Sequence, residues 1–346
     1  MGSELDPNPD LRQSVKTAQL PPLRVEVISQ IPTEPAGEQL LSGFRFGTQL
    51  PDSENPLLID IGLRPLGDSP LLEAWWCRGE VLHRQCGQAS IAESSDYGFV
   101  VVQVHEADCP DFESLTLEAY AELLTAIRST RFSHIVKIWN YFDQINEGQG
   151  DRERYRLFSS GRAEAFDKVG IEDHALPTGT AIGTLGGGVL SLIALVSKHP
   201  LHGFENPRQV SAYRYPRKYG PRSPKFSRAG FVSGGEHVLF MLSGTAAVVG
   251  HDSAHPYDVE SQTHETFNNL DLLVRAVTRL GPQGGHPGLD ENSILRVYLR
   301  DPADYSLVVQ HFKKTLGRDT RNVSFLQGDI CRRELMIEID GVKILA

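Results

Sequence analysis

The chain repeats itself. Leu117, Tyr120, Leu124 and Ile127 are spaced by three, four and three residues, and Phe267, Leu270, Val274 and Val277 follow the same spacings 150 residues later. Each set lines one face of a helix. Each helix pattern runs on into a strand pattern, HIVKIWNYF after the first and SILRVYLR after the second. The second copy inserts the loop GPQGGHPGLDEN before its strand. Order as well as spacing is shared, and that restricts the fold more than any single motif. We expect an α+β architecture of two similar halves, each a mostly antiparallel or mixed sheet with helices packed on one face. The expected boundaries are a tail over 1–24, a first half over 25–200 and a second half over 201–346. The joint falls in KHPLHGFENPRQ, where Pro, Gly and polar residues gather.

Composition narrows the function classes. The net charge of −10 argues against general affinity for nucleic acid or an anionic membrane. The longest apolar run, GVLSLIALV, is too short to span a bilayer, and the start MGSELDPNPD is polar and acidic, unlike a signal peptide. Cys77, Cys86, Cys109 and Cys331 form no CxxC pair, so reduced thiols and a cytoplasmic setting are expected.

Against that acidic background one segment stands out. Residues 206–235 contain no Asp or Glu but hold Arg208, Arg214, Arg217, Lys218, Arg222, Lys225 and Arg228, interleaved with Tyr213, Tyr215 and Tyr219. Arginine grips carboxylates with a planar fork and tyrosine adds a neutral donor, so the segment fits a pocket for an anionic small molecule. A solvated basic loop fits equally well. RYRLFSSGRAEAF offers a further arginine, Arg162. HDSAH places two histidines four apart, but Pro256 follows and no third ligand is evident, so no metal is expected. TGTAIGTLGGG lacks the lysine of a phosphate-binding loop and reads as turns and close backbone packing. In LFMLSGTAAVVGHD, Gly244 leaves room for a ligand beside a strand, or simply ends it.

The C-terminus poses the sharpest question. Leu335, Ile337 and Ile339 alternate with Glu334, Met336 and Glu338, the pattern of a half-buried strand. Alternation alone leaves Glu338 either the wet side of that strand or a working acid. Cys331 lies seven residues earlier, on the opposite face of any unbroken strand. The two reach one pocket only if Cys331 sits in a turn, which QGDICRR permits.

LFMLSGTAAVVGH, QTHETFNNLDLL, ILRVYLRDPADY and LMIEIDG resemble the RidA (YjgF) fold, with the first half as a degenerate copy. More specifically, RYRLFSSGRAEAF, YRYPRKYGPRSPKFSRAGFV, LSGTAAVVGHDSAHPYDVESQTHETFNNL and QGDICRRELMIEIDG resemble the chorismatase family, in its hydroxybenzoate-forming branch. The resemblance implies cleavage of the enolpyruvyl ether of chorismate to pyruvate plus 3-hydroxybenzoate, 4-hydroxybenzoate or both. It implies no metal, nicotinamide or flavin. It gives Glu338 the role of catalytic acid and makes Cys331 the cysteine that the diol-forming branch replaces with alanine. Gly244 matches a position that is glycine in one branch and alanine in the other. Arg162, Tyr215 and Arg228 fall in motifs that supply carboxylate ligands, and Tyr219 and Arg300 are placed by pattern. Plain RidA deaminases carry an arginine about one strand before the terminal Glu; here that position is near Val323, with Arg321 out of register. That departure weighs against the alternative of an enamine or imine hydrolase. A non-enzymatic sensor of aromatic acids, and release of a dihydroxycyclohexadiene carboxylate, are the other readings. RidA proteins are trimers with sites between subunits; a chain with two halves builds either a monomer with that arrangement inside it or a homo-oligomer.

Overall fold

The computed structural model describes residues 23–29, 37–47, 56, 58–109, 111–234, 237–280, 289–315 and 320–345, with side chains at 276–280 and 345 outside the description. All but Leu23 and Arg24 of the expected tail, most of the loop before the second repeat's strand, and the side chain of Val277 therefore lie outside the described residues.

The chain opens with a four-stranded sheet, β1 (Leu23–Ile28), β2 (Glu38–Phe46), β3 (Leu58–Ile61) and β5 (Leu72–Arg78), ordered β1-β5-β2-β3. The two-residue strand β4 (Arg64–Pro65) leaves this group to join the edge of another sheet. Next come β6 (Leu82–Cys86), β7 (Ala89–Glu93), β8 (Tyr97–His105), α1 (Phe112–Arg128), β9 (His134–Asp143), α2 (Arg154–Val169), β10 (Thr178–Thr184) and β11 (Val189–Ser197). After these come β12 (Leu201–Phe204), β13 (Ala229–Gly234), β14 (His237–Ala246), a small hairpin of β15 (Val248–Val249) and β16 (Asp252–Ser253), then α3 (Val259–Leu280), β17 (Ile294–Leu299), α4 (Tyr305–Thr315), β18 (Val323–Gln327) and β19 (Ile337–Leu345).

The repeat is present in the topology. The second sheet is ordered β10-β9-β11-β8-β7-β6 and the third β12-β13-β14-β19-β17-β18-β4. β7 and β8 pair antiparallel, as β13 and β14 do. β8–β11–β9 is antiparallel throughout and β9 runs parallel to β10. β14–β19–β17 and the parallel β17–β18 reproduce the same arrangement. Both copies are ββαβαββ units, and the expected α+β class with mixed sheets holds. Among the described residues, the four-stranded sheet ahead of the first unit has no counterpart in the second, and the helix pattern does not reveal it.

Local sequence explains the elements. Asp111 caps α1 by accepting a hydrogen bond from the Ser114 amide, and α2 stops at Gly170, which takes the left-handed conformation open to glycine. α1 buries Leu115, Tyr120, Leu123, Leu124 and Ile127, while Leu117 is half-buried; the buried stripe is rotated slightly from the one read in the sequence. Helices α1 and α2 cover one face of the second sheet, and α3 and α4 one face of the third. The helix-free faces of both sheets meet the four-stranded sheet in a central core of Phe44, Trp75, Phe99, Trp139, Met241 and Tyr298. Among the described residues, no helix is long and apolar enough to cross a membrane.

That layering corrects the expectation for the C-terminal strand. β19 begins at Ile337, so Glu334 and Met336 belong to the turn that enters it. It lies between β14 and β17 in the middle of the sheet, and the side bearing Glu338 faces the other half of the protein. Period-two alternation marks two faces but does not say that either is wet.

Candidate active site

A cavity of about 340 Å³ opens between the two repeats. The first repeat supplies Tyr155 and Arg162 from one face of α2, seven residues apart, and Gly179, Thr180 and Ala181 from β10. The second supplies Tyr215, Tyr219, Arg228, Gly244, Cys331 and Glu338. Seven of the eight residues singled out in the sequence therefore share one cavity wall.

Arg300 is the exception. Its guanidinium donates to Asp329 Oδ1 at 2.6 Å and to the carbonyls of Ile330, Arg332 and Leu335 at 2.9–3.0 Å. It does not line the cavity; it ties down the turn that carries Cys331. That turn, over 328–336, answers the spacing problem. Asp329 pairs with Gly183 of β10, the chain bends, and Cys331 reaches the cavity from outside the strand.

The basic segment divides into staples and ligands. Arg217 pairs with Asp151, Lys218 with Asp252 and Lys225 with Asp173 at 2.5–2.6 Å, and Arg222 pairs with Asp167. These pairs fasten the segment to α2, the loops before and after it and the β15–β16 hairpin. Arg228 behaves differently. It is 5% exposed, donates through Nη2 to Tyr215 OH at 2.6 Å, and keeps Nε without a partner. Arg162 is 2% exposed, with Nε and Nη2 both unpartnered. A third guanidinium, Arg332, lies over the rings of Tyr219 at 4.1 Å and Tyr215 at 5.3 Å. It donates to the His251 carbonyl and Ser253 Oγ. Burying a cation without an anion is expensive. Two buried guanidiniums with idle donors around one cavity are what an anionic ligand completes.

Glu338 closes the floor. It is 5% exposed, and no described residue donates a hydrogen bond to its carboxyl. Burial, helped by the nearby Asp340 carboxylate, pushes its pKa up to about 8 against the opposing charges of Lys137 and Arg228. The carboxyl is thus largely protonated at neutral pH. Gly244 sits in a β-bulge, where the β14–β19 register slips between Leu242 and Thr245. A Cβ there would stand 1.9 Å from Glu338 Oε1, so glycine is what lets the carboxyl occupy its place. Burial and the neighbouring Glu338 push the Cys331 thiol up to about 12. It is therefore a neutral S–H, not a thiolate.

Sequence reading missed Tyr155, Arg332 and Tyr257. Arg332 adjoins Cys331, and Tyr155 precedes Arg162 by two helical turns, so both were within reach once the anchors were chosen. Tyr257 is exposed at the cavity mouth, with His255 and Tyr257 both in the left-handed backbone region, which no pattern announces. His251 and His255 are separate, one beside Tyr219 and one beside Glu265. Among the described residues, no group of His, Cys, Asp and Glu is arranged to hold a metal ion. Gly179 of the glycine-rich stretch packs against Phe226 and donates its amide to Ser243 Oγ, as close packing requires.

A family model described as chorismatase FkbO/Hyg5-like, N-terminal, matches residues 73–196. A 3-hydroxybenzoate synthase of Streptomyces hygroscopicus is 32% identical over 281 residues, covering 79% of this chain and 81% of its own. The chain belongs to the chorismatase family. A chorismatase of Streptomyces rapamycinicus is 34% identical over 280 residues, covering 80% of this chain and 83% of its own. A crystal structure of a chorismatase superposes with a TM-score of 0.82 at 28% identity, across 94% of this chain and 98% of that one. The chorismatase fold thus runs through both repeats and the sheet that precedes them.

Proposed function

We propose that the protein cleaves chorismate to pyruvate and a hydroxybenzoate, 3-hydroxybenzoate or 4-hydroxybenzoate or both. The observation that carries this reading is a buried Glu338 carboxyl, its pKa pushed up by burial, sharing one cavity with two buried arginines that have idle donors. Chorismate brings two carboxylates and an acid-labile enol ether. Arg162 and Arg228, with Arg332, Tyr215 and Tyr219, bind the carboxylates. Glu338 gives its proton to the ether's methylene carbon, whose π pair forms the new C–H bond and leaves an oxocarbenium ion. The ring C–O bond then breaks and its electron pair departs with pyruvate. The neighbouring ring hydroxyl closes onto the vacated carbon and returns its proton to the Glu338 carboxylate. The resulting epoxide opens and aromatises with no net water. Attack by water instead gives the diol.

Cys331 acts on the aromatising branch. A thiol held neutral suits proton transfer during opening better than nucleophilic attack. Replacing Cys331 by alanine is expected to move product from hydroxybenzoate toward the diol while pyruvate release continues. An unchanged product ratio would remove Cys331 from the chemistry. Both repeats line the cavity, which supports a site complete within one chain and a second half, 201–346, that carries the reacting groups.

The test is incubation of the purified protein with chorismate, with pyruvate quantified and aromatic products separated. Equimolar pyruvate and hydroxybenzoate support the proposal. Pyruvate with diol alone retains Glu338 and discards the aromatising route. Unconsumed chorismate discards the reading altogether.

A further inference from the structure

Between the second and third sheets lies a layer of polar side chains outside the cavity wall. Alternate residues of β9, namely Lys137, Trp139 and Tyr141, point at alternate residues of β17, Arg296 and Tyr298, and at Asp340 of β19. Lys137 and Asp340 form its centre. Lys137 is 0% exposed and Asp340 1%, and Nζ lies 2.9 Å from Oδ2. Asp340 also accepts from Trp139 Nε1 at 3.0 Å, Thr180 Oγ1 at 2.6 Å and Tyr298 OH at 3.3 Å. Lys137 donates onward to the Leu242 carbonyl, the last residue before the bulge that holds Gly244. Behind Asp340, Arg296 makes a two-pronged pair with Glu73 from the four-stranded sheet and donates to Tyr141 OH. The layer around the pair is thus fixed from all three sheets.

Such a pair is hard to explain by stability. Two charges taken fully out of water recover little more than they lose, and apolar residues of similar volume serve a core as well or better. Its position gives it another use. Asp340 is two residues from Glu338 on one strand, so both project to the same side. Lys137 reaches that side from the facing sheet. Three charged groups act on Glu338: Asp340 on its own strand, Lys137 from β9 and Arg228 before β13. Cys331 from the entry turn and Tyr155 from α2 also face it, and its carboxylate raises the pKa of both.

We propose that the Lys137–Asp340 pair positions and charge-balances the catalytic carboxyl, Asp340 favouring its proton-bearing form before transfer and Lys137 steadying the carboxylate left after it. This rests on the reading of Glu338 as the acid. Neither residue lines the cavity; both act through Glu338, and the Lys137–Leu242 bond also braces the bulge beside it. The two charges work in opposite senses, so removing them one at a time separates this role from mere packing.

The experiment follows the Glu338 carboxyl directly, by carbon-13 NMR of glutamate-labelled protein, with the signal assigned by its loss in Glu338→Gln. Asp340→Asn is expected to lower the titration midpoint by about one pH unit or more. Lys137→Met is expected to raise it by a similar amount. The double variant Lys137→Met/Asp340→Asn is expected to bring the midpoint back near that of the unsubstituted protein while kcat stays at least about severalfold lower, because the bond bracing the bulge beside Glu338 is gone, and it serves as the deciding protein if a single variant does not fold. The pH dependence of kcat for chorismate should move with each midpoint. Midpoints of the singles that coincide with the unsubstituted protein's overturn the proposal, as does a double variant whose kcat and KM are both those of the unsubstituted protein. Shifted midpoints in a protein that leaves chorismate intact would uphold the coupling and refute the proposed reaction.

Discussion

Glu338→Gln is expected to lower kcat for chorismate by roughly 10²–10⁴-fold, the usual contribution of a positioned general acid, while chorismate binding stays within about a few-fold because the arginines supply it. The amide keeps the shape of the carboxyl but has no acidic proton to give. The same substitution carries a stability signature of definite sign. The Glu338 carboxyl titrates at about 8 in the folded chain against an ordinary value of 4.5. Below pH 4.5 both folded and unfolded chains hold the proton, and the group's contribution is fully present. As pH rises toward 8 the unfolded chain releases the proton while the folded chain keeps it, and about 1.4 kcal/mol is lost for each unit crossed. Glutamine has nothing to release. The variant should therefore gain stability over the unsubstituted protein between pH 5 and pH 8, read by urea denaturation at both ends. In the unsubstituted protein, kcat should fall as pH rises through about 8. A variant equally stable relative to its parent at both pH values would mean that Glu338 is ionised in the folded chain, and the acid would have to be sought elsewhere.

The repeat was legible because two amphipathic helices with the same successors impose the same sheet order. The four-stranded sheet was not. Its strands lie outside the repeated helix–strand succession, and Trp75 and Phe44 look no different in sequence from any buried aromatic. The basic segment was legible as a segment, but sequence could not sort its cations. Arg217, Lys218, Arg222 and Lys225 found acids from α2, the loops before and after it and the β15–β16 hairpin, and Arg228 did not. That sorting depends on partners far away in the chain, which is also why Arg300 read as a ligand and proved to be a clamp on its own loop. Lys137 and Asp340 were invisible for the same reason. A lysine inside an apolar strand pattern reads as an irregularity until the strand opposite is known.

Gly244 offers the cleanest steric test. Gly244→Ala is expected to reduce kcat by about 10²-fold and to raise the share of diol, with a smaller change in KM. The added methyl would lie 1.9 Å from Oε1 and 2.9 Å from Cδ of Glu338. The backbone beside it has little freedom: Ser243 Oγ donates to the Ser227 carbonyl at 2.5 Å and accepts from the Gly179 amide, and the Ser243 amide donates to the Arg228 carbonyl. The carboxyl is the part that yields, by roughly 1 Å, and a displacement of that size at a reacting group costs on the order of 10²-fold. A carboxylate withdrawn from the ring hydroxyl no longer recovers its proton, and water competes for the cation. Shortening the acid offers a rescue: Glu338→Asp removes one methylene and draws the carboxyl back from the methyl. Activity in Gly244→Ala/Glu338→Asp above the product of the two single losses would establish that the two positions compete for one volume. Simple multiplication of the losses would mean that Gly244 acts on catalysis by a route other than the carboxyl it touches.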